Sequence, residues 1–576
     1  MSPAAFLRNA LRLLVPLAVA STVYLYLYPV FLGCAFPLPD AQPASAAFRS
    51  TIQQHVGDSA TGLAPFRLLA LGDPQLEGDT SIPNAYRDSS FPHLMEFVSH
   101  ITFQTEHYSF RERIRRSLHD LVDFYFEDIP DTIESIRKRI DLFGNDFYLA
   151  HIYRTLKWWT KPSHVTVLGD LVGSQWISDE EFDRRSWRYW NRAFYGGERV
   201  PDEVAASPAE EYEITGYLGN EGPNGTVWRR RLINIAGNHD VGYAGDLTVE
   251  RLARFETTFG KAAYELRFEL PIKNETSNAT VMDVEKNQDS TRLPPELRIV
   301  VVNNMNLDTP AIAPELQDQT YSFVNDVINT ASAVEYQGHF TVVLTHMPLY
   351  KPEGVCVDAP FFDFHSSEEG GGVKEQYQLS ADASKGFLEG IFGMHGDTNA
   401  PGNGNGRRGV IINGHDHEGC DIFHFINQTD GESPEQRSWE VMRWNDAYGK
   451  NVPGRPGHPG LREITVRSMM GGFGGNAGLF SAWFDESTWE WKFEFANCAL
   501  GKQYFWWFTH IIDLIAIVGV LGYAVLKSLL AAGMDVDQWP GFVTSRFPAA
   551  AREKPVQVKA ETTKPEPVGN GESKKP

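Results

Sequence analysis

The chain has 576 residues, 42% of them hydrophobic, enough to bury the core of one large domain or two ordinary ones, and this excludes a wholly disordered protein. Its 74 acidic side chains against 52 basic ones give a formal charge of -22, which argues against a nucleic-acid partner because a phosphate backbone demands a basic face. An acidic chain that handles phosphates needs metal ions to do so.

From the N-terminus, Arg8 and Arg12 precede an apolar run over 13–36 (LLVPLAVASTVYLYLYPVFLGCAF). It is long enough to cross a hydrocarbon core of about 30 Å, and longer than the ~7–15 apolar residues of a cleaved secretory signal. It reads as an uncleaved signal anchor, with 1–12 as a cytosolic N-terminus and 37–65 as a linker. A second run over 504–526 (YFWWFTHIIDLIAIVGVLGYAVL) opens with Trp506 and Trp507 as interfacial aromatics and closes at Lys527. His510 and Asp513 lie in its first two turns, close enough to the interface to reach it. Basic residues at the outer ends of both runs predict two transmembrane helices with both termini cytosolic. The four Asn-x-Thr sequons, at Asn224, Asn274, Asn278 and Asn427, all fall between the runs, as expected of N-glycosylation in a lumenal region. Residues 527–576, rich in Pro, Lys and Glu, read as a disordered cytosolic tail. Cys34 ends the first run, leaving Cys356, Cys420 and Cys498 between the two; that odd number permits one disulfide, Cys356 to Cys420 being one choice, and one free thiol.

Between the runs stand six β-rich segments, each ending in a polar cluster: FRLLALGD (66–73), HVTVLGD (164–170), RRLINIAGNHD (230–240), LRIVVVNN (297–304), HFTVVLTHMP (339–348) and GVIINGHDH (409–417). Buried strands of an α/β sheet look like this, and such sheets gather their ligands at strand ends. A helical insertion over 85–160 separates the first two. Ile114, Leu118, Leu121, Val122 and Phe126 share one face, and Ile133, Ile136, Ile140 and Phe143 follow at spacings of three and four; both stripes predict packing. Beyond Gly144, Asn145 either caps a following helix or joins Asp146 in lining a cleft. The segment 351–408, with EEGGGV and APGNGNGRRG, reads as a mobile surface loop. Its glycines are no dinucleotide fingerprint, since no strand leads into them, and MMGGFGGN at 469–476 is read with the same caution.

Asp73, Asp170, Asn238, His346, His415 and His417 offer two carboxylates, an amide oxygen and three imidazoles, a donor set suited to manganese, iron or zinc. One shared carboxylate can hold two cations ~3.5–4 Å apart, the separation used for in-line displacement at phosphorus. Glycines before Asp170, Asn238 and His415 suit tight turns.

The ordered set Gly72-Asp73, Gly169-Asp170, Gly237-Asn238-His239-Asp240, Thr345-His346 and Gly414-His415-Asp416-His417 resembles the motifs of the calcineurin-like metallophosphoesterases. The wording LGDPQLEGD, LGDLVGSQW and FGNDFYLAHIYRT, between two spans, is similar to the endoplasmic-reticulum branch that removes ethanolamine phosphate from glycosylphosphatidylinositol (GPI) anchors, in the fungal form linked to the second mannose. The resemblance implies a four-layer α/β/β/α sandwich over 66–500, with the helical insertion and two flanking transmembrane helices. It implies two divalent metal ions, most commonly Mn2+ with Zn or Fe as alternatives, bridged by Asp170, with Asp73 and His417 on one and Asn238, His346 and His415 on the other. His239 would stabilise a phosphoryl or leaving oxygen and Asp240 would orient its ring; Asp416 would point away. Where most of the superfamily has Asp-x-His, this chain has Asp73-Pro74-Gln75, so Gln75 is either a weak ligand or leaves its place to water. The implied substrate is a lipid-linked GPI glycan at the membrane. Another lumenal phosphoester, or a scaffold or cargo adaptor that has lost turnover, are the competing readings.

Overall fold

The computed structural model describes residues 2–39, 42–57, 62–83, 85, 89–104, 108–219, 227–272 and 294–539. Asn224, Asn274, Asn278 and the tail beyond 539 lie outside them.

Among the described residues the strands are β1 (Phe66–Leu71), β2 (His164–Val167), β3 (Glu198–Arg199), β4 (Gly216–Tyr217), β5 (Arg231–Asn234), β6 (Tyr264–Glu269), β7 (Glu296–Val301) and β8 (His339–Leu344). After them come β9 (Phe362–Phe364), β10 (Val373–Gln376), β11 (Arg408–Asn413), β12 (Cys420–Ile426), β13 (Trp439–Arg443), β14 (Gly460–Thr465), β15 (Asn476–Asp485) and β16 (Glu490–Ala499). One sheet has the order β16-β15-β1-β2-β5-β3, parallel from β1 to β3 with β15 and β16 antiparallel. The larger sheet runs β13-β12-β14-β11-β8-β7-β6-β4, with a parallel centre from β14 through β11 and β8 to β7. All six segments singled out in the sequence are strands or run from a strand into its terminal loop.

Alternation along these strands builds the core. On β1, Phe66, Leu68 and Ala70 join Phe340, Val342 and Leu344 of β8 in one buried cluster that draws on both sheets. The intervening Leu69 and Leu71 pack instead with Tyr148, Leu149 and Ile152 of the long helix Ile129–Thr160. Val343 likewise joins Val324 and Val327 of the helix Pro314–Asn329. Period-two side-chain direction thus lets each apolar strand bury both faces, which fixes its register, since a one-residue slip would exchange them.

The insertion is helical, with Pro92–Ile101, Phe110–Asp123, a π-turn over Phe124–Asp128 and Ile129–Thr160, but its packing corrects the expectation. Ile114, Leu118, Leu121, Val122, Phe126, Ile133, Ile136, Ile140 and Phe143 are exposed rather than packed. Over 92–141 the buried positions are polar: the Arg113 guanidinium donates to the His100 carbonyl at 3.1 Å and lies 4.6 Å from the Phe103 ring, and His100 faces Asp120 at 3.5 Å. Asp128, fully buried, accepts from the His93 backbone N–H at 3.0 Å and meets its Nδ1 at 2.8 Å. These ion pairs and hydrogen bonds occupy the inside of the turn and leave the apolar stripe outside. The segment 351–408 is also corrected: it folds into β9, β10 and the helix Ala381–Lys385, and buries Lys351, Gln376, Gln378, Phe387 and Leu388.

Two helices, Pro3–Tyr26 and Gln503–Ala531, are long and apolar enough to cross a membrane. The first begins earlier than the apolar run because helix formers carry it through Arg8 and Arg12. It ends before Tyr28–Phe31, where Pro29 lacks the N–H that would continue the ladder. The second continues through Lys527 to Ala531. The chain divides into two units. In the unit made of Met1–Ala20 and Ile511–Pro576, Gly519 lies close to Leu11 and Leu7, and the Ala4 N–H donates to Asp537 at 2.7 Å. The unit Ser21–His510 holds both sheets and both disulfides, Cys34–Cys498 and Cys356–Cys420. The expected free thiol is therefore absent: Cys34 belongs with the folded unit rather than with the apolar helix.

Burial also gives the fold an acid limit. His164 on β2 sits among Phe66, Trp228 and Phe268, and burial, with Arg67 nearby, pushes its imidazole down to about 3. The unfolded chain then takes up a proton that the fold refuses, so this contribution to stability is full above the ordinary histidine value and declines as pH falls toward 3. Chemical denaturation of His164→Gln and the parent should show the parent losing about 2 kcal/mol more between about pH 7.5 and about pH 5.

Candidate metal centre

Parallel pairing places the polar strand ends together. β1, β2 and β5 are neighbours, so Asp73, Asp170 and Asn238 emerge side by side; β8 and β11 are neighbours, so His346 emerges beside His415 and His417. The turns are tight: Asp73, Gln75, Asp170 and His415 have φ of 44°, 39°, 51° and 69°, left-handed values costly for residues with a side chain. At the tight turn before Asn238, Gly237 serves close approach, because a Cβ there would stand 2.2 Å from the Asp170 backbone N.

Two groups of donor atoms converge. Ligand atoms of Asp73, Asp170 and His417 all lie within 4.8 Å of one another. Beside them, Asn238 Oδ1 is 3.0 Å from both His346 Nε2 and His415 Nδ1, and the two ring nitrogens are 3.3 Å apart. Each ring has its other nitrogen on a backbone carbonyl, His346 Nδ1–H donating to Leu168 at 2.7 Å and His415 Nε2–H donating to Gln376 at 2.9 Å. That fixes the tautomers so that both free lone pairs face the amide oxygen, the arrangement by which outer partners aim metal-binding imidazoles. Asp170 joins the groups, with Oδ1 at 3.3 Å from His346 Nε2 and Oδ2 accepting from the Gln75 amide at 2.9 Å. Gln75 Nε2 is also 3.1 Å from His417 Nε2, so this residue stands at the first group, where most of the superfamily has histidine.

Electrostatics follow from burial. Asp73 is pushed well up, by burial first and then by Asp170, although the His415 N–H donates to its Oδ1 at 2.9 Å. Burial also opposes ionising Asp170, but the facing His346, His239 and His415 and the N–H donated by His239 hold it low. His415 is pushed down to about 3 by burial and then by His346; burial also lowers His346 and His417. Neutral imidazoles and the ionised Asp170 are in the protonation states that ligate cations, and Asp73 would give up its proton as a cation binds.

The remaining sequence-derived residues divide. His239 borders the cavity, its Nε2 3.8 Å from Asp170 Oδ2. Asp240 does not orient that ring: its two oxygens accept the N–H groups of Val172 and Gly237, each at 2.9 Å, and His239 Nδ1 is buried without a partner. Asp240 thus closes the Asn238–Val241 turn, and burial with Asp170 nearby raises it to about 8. Asp416 borders the cavity, and its Oδ1 accepts the Glu418 N–H at 3.1 Å. Asn145 and Asp146 lie within the helix Ile129–Thr160, so Asn145 is no cap, and neither borders this cavity. Asp146 is fully buried, paired through both oxygens with Arg188 at 2.7 and 2.8 Å and with Arg192 at 3.0 Å. MMGGFGGN contributes Phe473, 4.9 Å from the His417 ring, and Gly475, whose Cβ would strike the Tyr148 hydroxyl; it serves packing.

Sequence reasoning missed Gln376, whose carbonyl aims His415, and Lys351 and Tyr243, which line the cavity. It also missed Asn304, which bonds both ways with the Met347 backbone and so secures the His346 turn. The VVNN ending of β7 was the available sign of that clamp.

The donor set fits divalent cations on its own evidence: Asp73 Oδ2 is buried without a hydrogen-bond partner beside a second buried carboxylate, and three lone pairs converge at Asn238, His346 and His415. Metal analysis of the purified protein should find two divalent ions, one of them lost in His346→Ala. Gln75→His should hold its ions about 10-fold more tightly against a chelator, a size typical of tuned metal sites.

No protein-family model matches the chain. It is 34% identical to Protein TED1 of Saccharomyces cerevisiae over 421 residues, covering 66% of this chain and 77% of that protein. An uncharacterised protein of Schizosaccharomyces pombe is 25% identical over 391 residues, 65% of this chain and 78% of its own length. Metallophosphoesterase 1 of Xenopus laevis is 23% identical over 294 residues, 50% of this chain and 58% of that protein. With donor groups for two cations at the strand ends and this extent of likeness, the chain belongs to the metallophosphoesterase family of Protein TED1, the GPI-remodelling branch that its motifs resemble.

Proposed function

We propose that the chain is a phosphodiesterase of the endoplasmic-reticulum membrane that removes ethanolamine phosphate from a mannose of GPI anchors, the second mannose being favoured. The observation that carries this reading is the convergence of Asp73, Asp170 and His417 with Asn238, His346 and His415 at a cavity of about 590 Å³. The layering read here is α/β/β/α over 66–500, placed in the lumen between two spans with both termini cytosolic. The sequon at Asn427 supports that side: Asn427 is half-buried, Thr429 is exposed, and Thr429 donates its hydroxyl to Asn427 at 2.7 Å.

In this reading Asp73, Asp170, His417, Asn238, His346 and His415 would hold two divalent cations between them, with Asp170 common to both groups and Mn2+ the favoured metal. Bound there, the cations supply Lewis acidity toward the phosphoryl oxygens and lower the pKa of water. The chain's own part is positional. The Leu168 and Gln376 carbonyls hold the two imidazoles in one tautomer, and the sheets fix their spacing before substrate arrives, so no reorganisation accompanies the reaction. His239, bordering the cavity within 3.8 Å of Asp170, is placed to hold a proton at the leaving oxygen. Two apolar helices keep the site near a membrane, which raises its effective concentration toward a lipid-linked phosphodiester.

Asp170→Ala and His415→Ala should abolish hydrolysis of a phosphodiester by folded, membrane-inserted protein, and His239→Ala should lower kcat by about 100–1000-fold. Full turnover in either ligand variant rejects the metal reading. Mass spectrometry of GPI glycans from cells lacking the chain tests the substrate: retained ethanolamine phosphate on the second mannose is expected, and unchanged glycans at every mannose overturn it.

A further inference from the structure

Over 92–141 the helical insertion is built with its polarity reversed. Arg113, Asp120, His100 and Asp128 are buried inside the turn, while Leu118 and Phe126 are 59% and 75% exposed on its outside. Polar residues inside and large apolar residues outside form the pattern that calls for an explanation, whereas a single exposed leucine does not. On Ile129–Thr160 the outer stripe continues through Ile133, Ile136 and Ile140, all exposed, at the three-to-four spacing of one helix face.

That stripe ends at a specific place. One turn beyond Ile140, Gly144 is covered by the Trp507 indole, so closely that a Cβ there would stand 1.8 Å from it. Trp507 belongs to the first turns of Gln503–Ala531, the more apolar of the two membrane-length helices, whose Tyr504, Phe505 and Phe508 are also exposed. The apolar face of the insertion is therefore continuous with the foot of a helix built for lipid. Exposed Arg111, Arg115 and Arg139 border it, the composition of helices that lie in a membrane interface with cationic side chains at headgroup level.

We infer that the segment 92–143 is an interfacial platform: its outer face inserts into the lipid leaflet that Gln503–Ala531 enters, with Ile114, Leu118, Phe126, Ile133, Ile136 and Ile140 among the acyl chains. Lipid is the occupant because the patch is contiguous with a membrane-length helix and flanked by arginines. The inference rests on the membrane-anchored reading of the chain and not on its phosphodiesterase activity. It gives the fold a contact with the bilayer besides its two terminal helices.

The test uses the full chain in nanodiscs of phosphatidylcholine and phosphatidylserine, carrying an environment-sensitive fluorophore on Leu118→Cys, Phe126→Cys or Ile136→Cys. Leu521→Cys in the apolar helix and Glu432→Cys on the polar surface serve as references. Acyl-brominated lipid should quench Leu521 and all three platform probes at least twofold and leave Glu432 unchanged. Quenching at Leu521 but at none of the platform probes rejects the platform while sparing the anchor. A blue-shifted platform probe that brominated lipid does not quench shows a protein cover, a second copy or another chain, and likewise rejects it. No quenching at Leu521 overturns the anchor and the platform together.

Discussion

The structure depends on two carboxylates held side by side out of water. Asp73 and Asp170 are both fully buried, and each raises the cost of ionising the other. Removing an ionised group from water costs several kcal/mol unless it is paired, and no arginine or lysine side chain meets either one in the contacts of the centre. The fold surrounds them instead with neutral imidazoles and an amide, none of which carries a full compensating charge. A divalent cation supplies that charge, so the feature that would weaken an ordinary core is what defines the centre.

Holding such an arrangement needs a rigid frame. Four residues of the centre sit at positive φ, each costing of order 1–3 kcal/mol, and such strain persists only where the surroundings over-determine it. Here the surroundings are parallel strands buried on both faces, β1, β2 and β5 in one sheet and β8 and β11 in the other. A side chain at the end of such a strand inherits the precision of the sheet. The Asn304 clamp on Met347 and the Cys356–Cys420 bridge, which closes the chain just after His417, extend that rigidity into the loops.

The strands and the centre were legible because each is local in sequence. An apolar run of six residues followed by Gly and a side chain with donor atoms states its strand, its turn and its candidate ligand within ten positions. What stayed hidden was non-local. Nothing around Gln376 says that its carbonyl will meet an imidazole 39 residues away, and nothing near Cys34 says that it will bond to Cys498. Asp240 misled for a related reason: a carboxylate next to a histidine in sequence looks like its orienting partner, yet in a helical turn adjacent side chains diverge, and this one folds back on backbone N–H groups. The insertion misled because helical periodicity reports that a face is apolar without saying what covers it.

One helix connects these layers. Ile129–Thr160 contributes Leu149 and Ile152 to the buried cluster that also holds Leu69 and Leu71 of β1, whose end carries Asp73. Its Trp159 donates to the Cys34 carbonyl at 2.7 Å, and its Tyr148 hydroxyl donates to the Gly501 carbonyl, so it contacts the chain just after one apolar helix and just before the other. The Cys34–Cys498 disulfide ties those two segments together at the same place. Packed side chains, two hydrogen bonds and a disulfide, rather than free linkers, therefore join the buried cluster under β1 to the chain segments on either side of the folded unit.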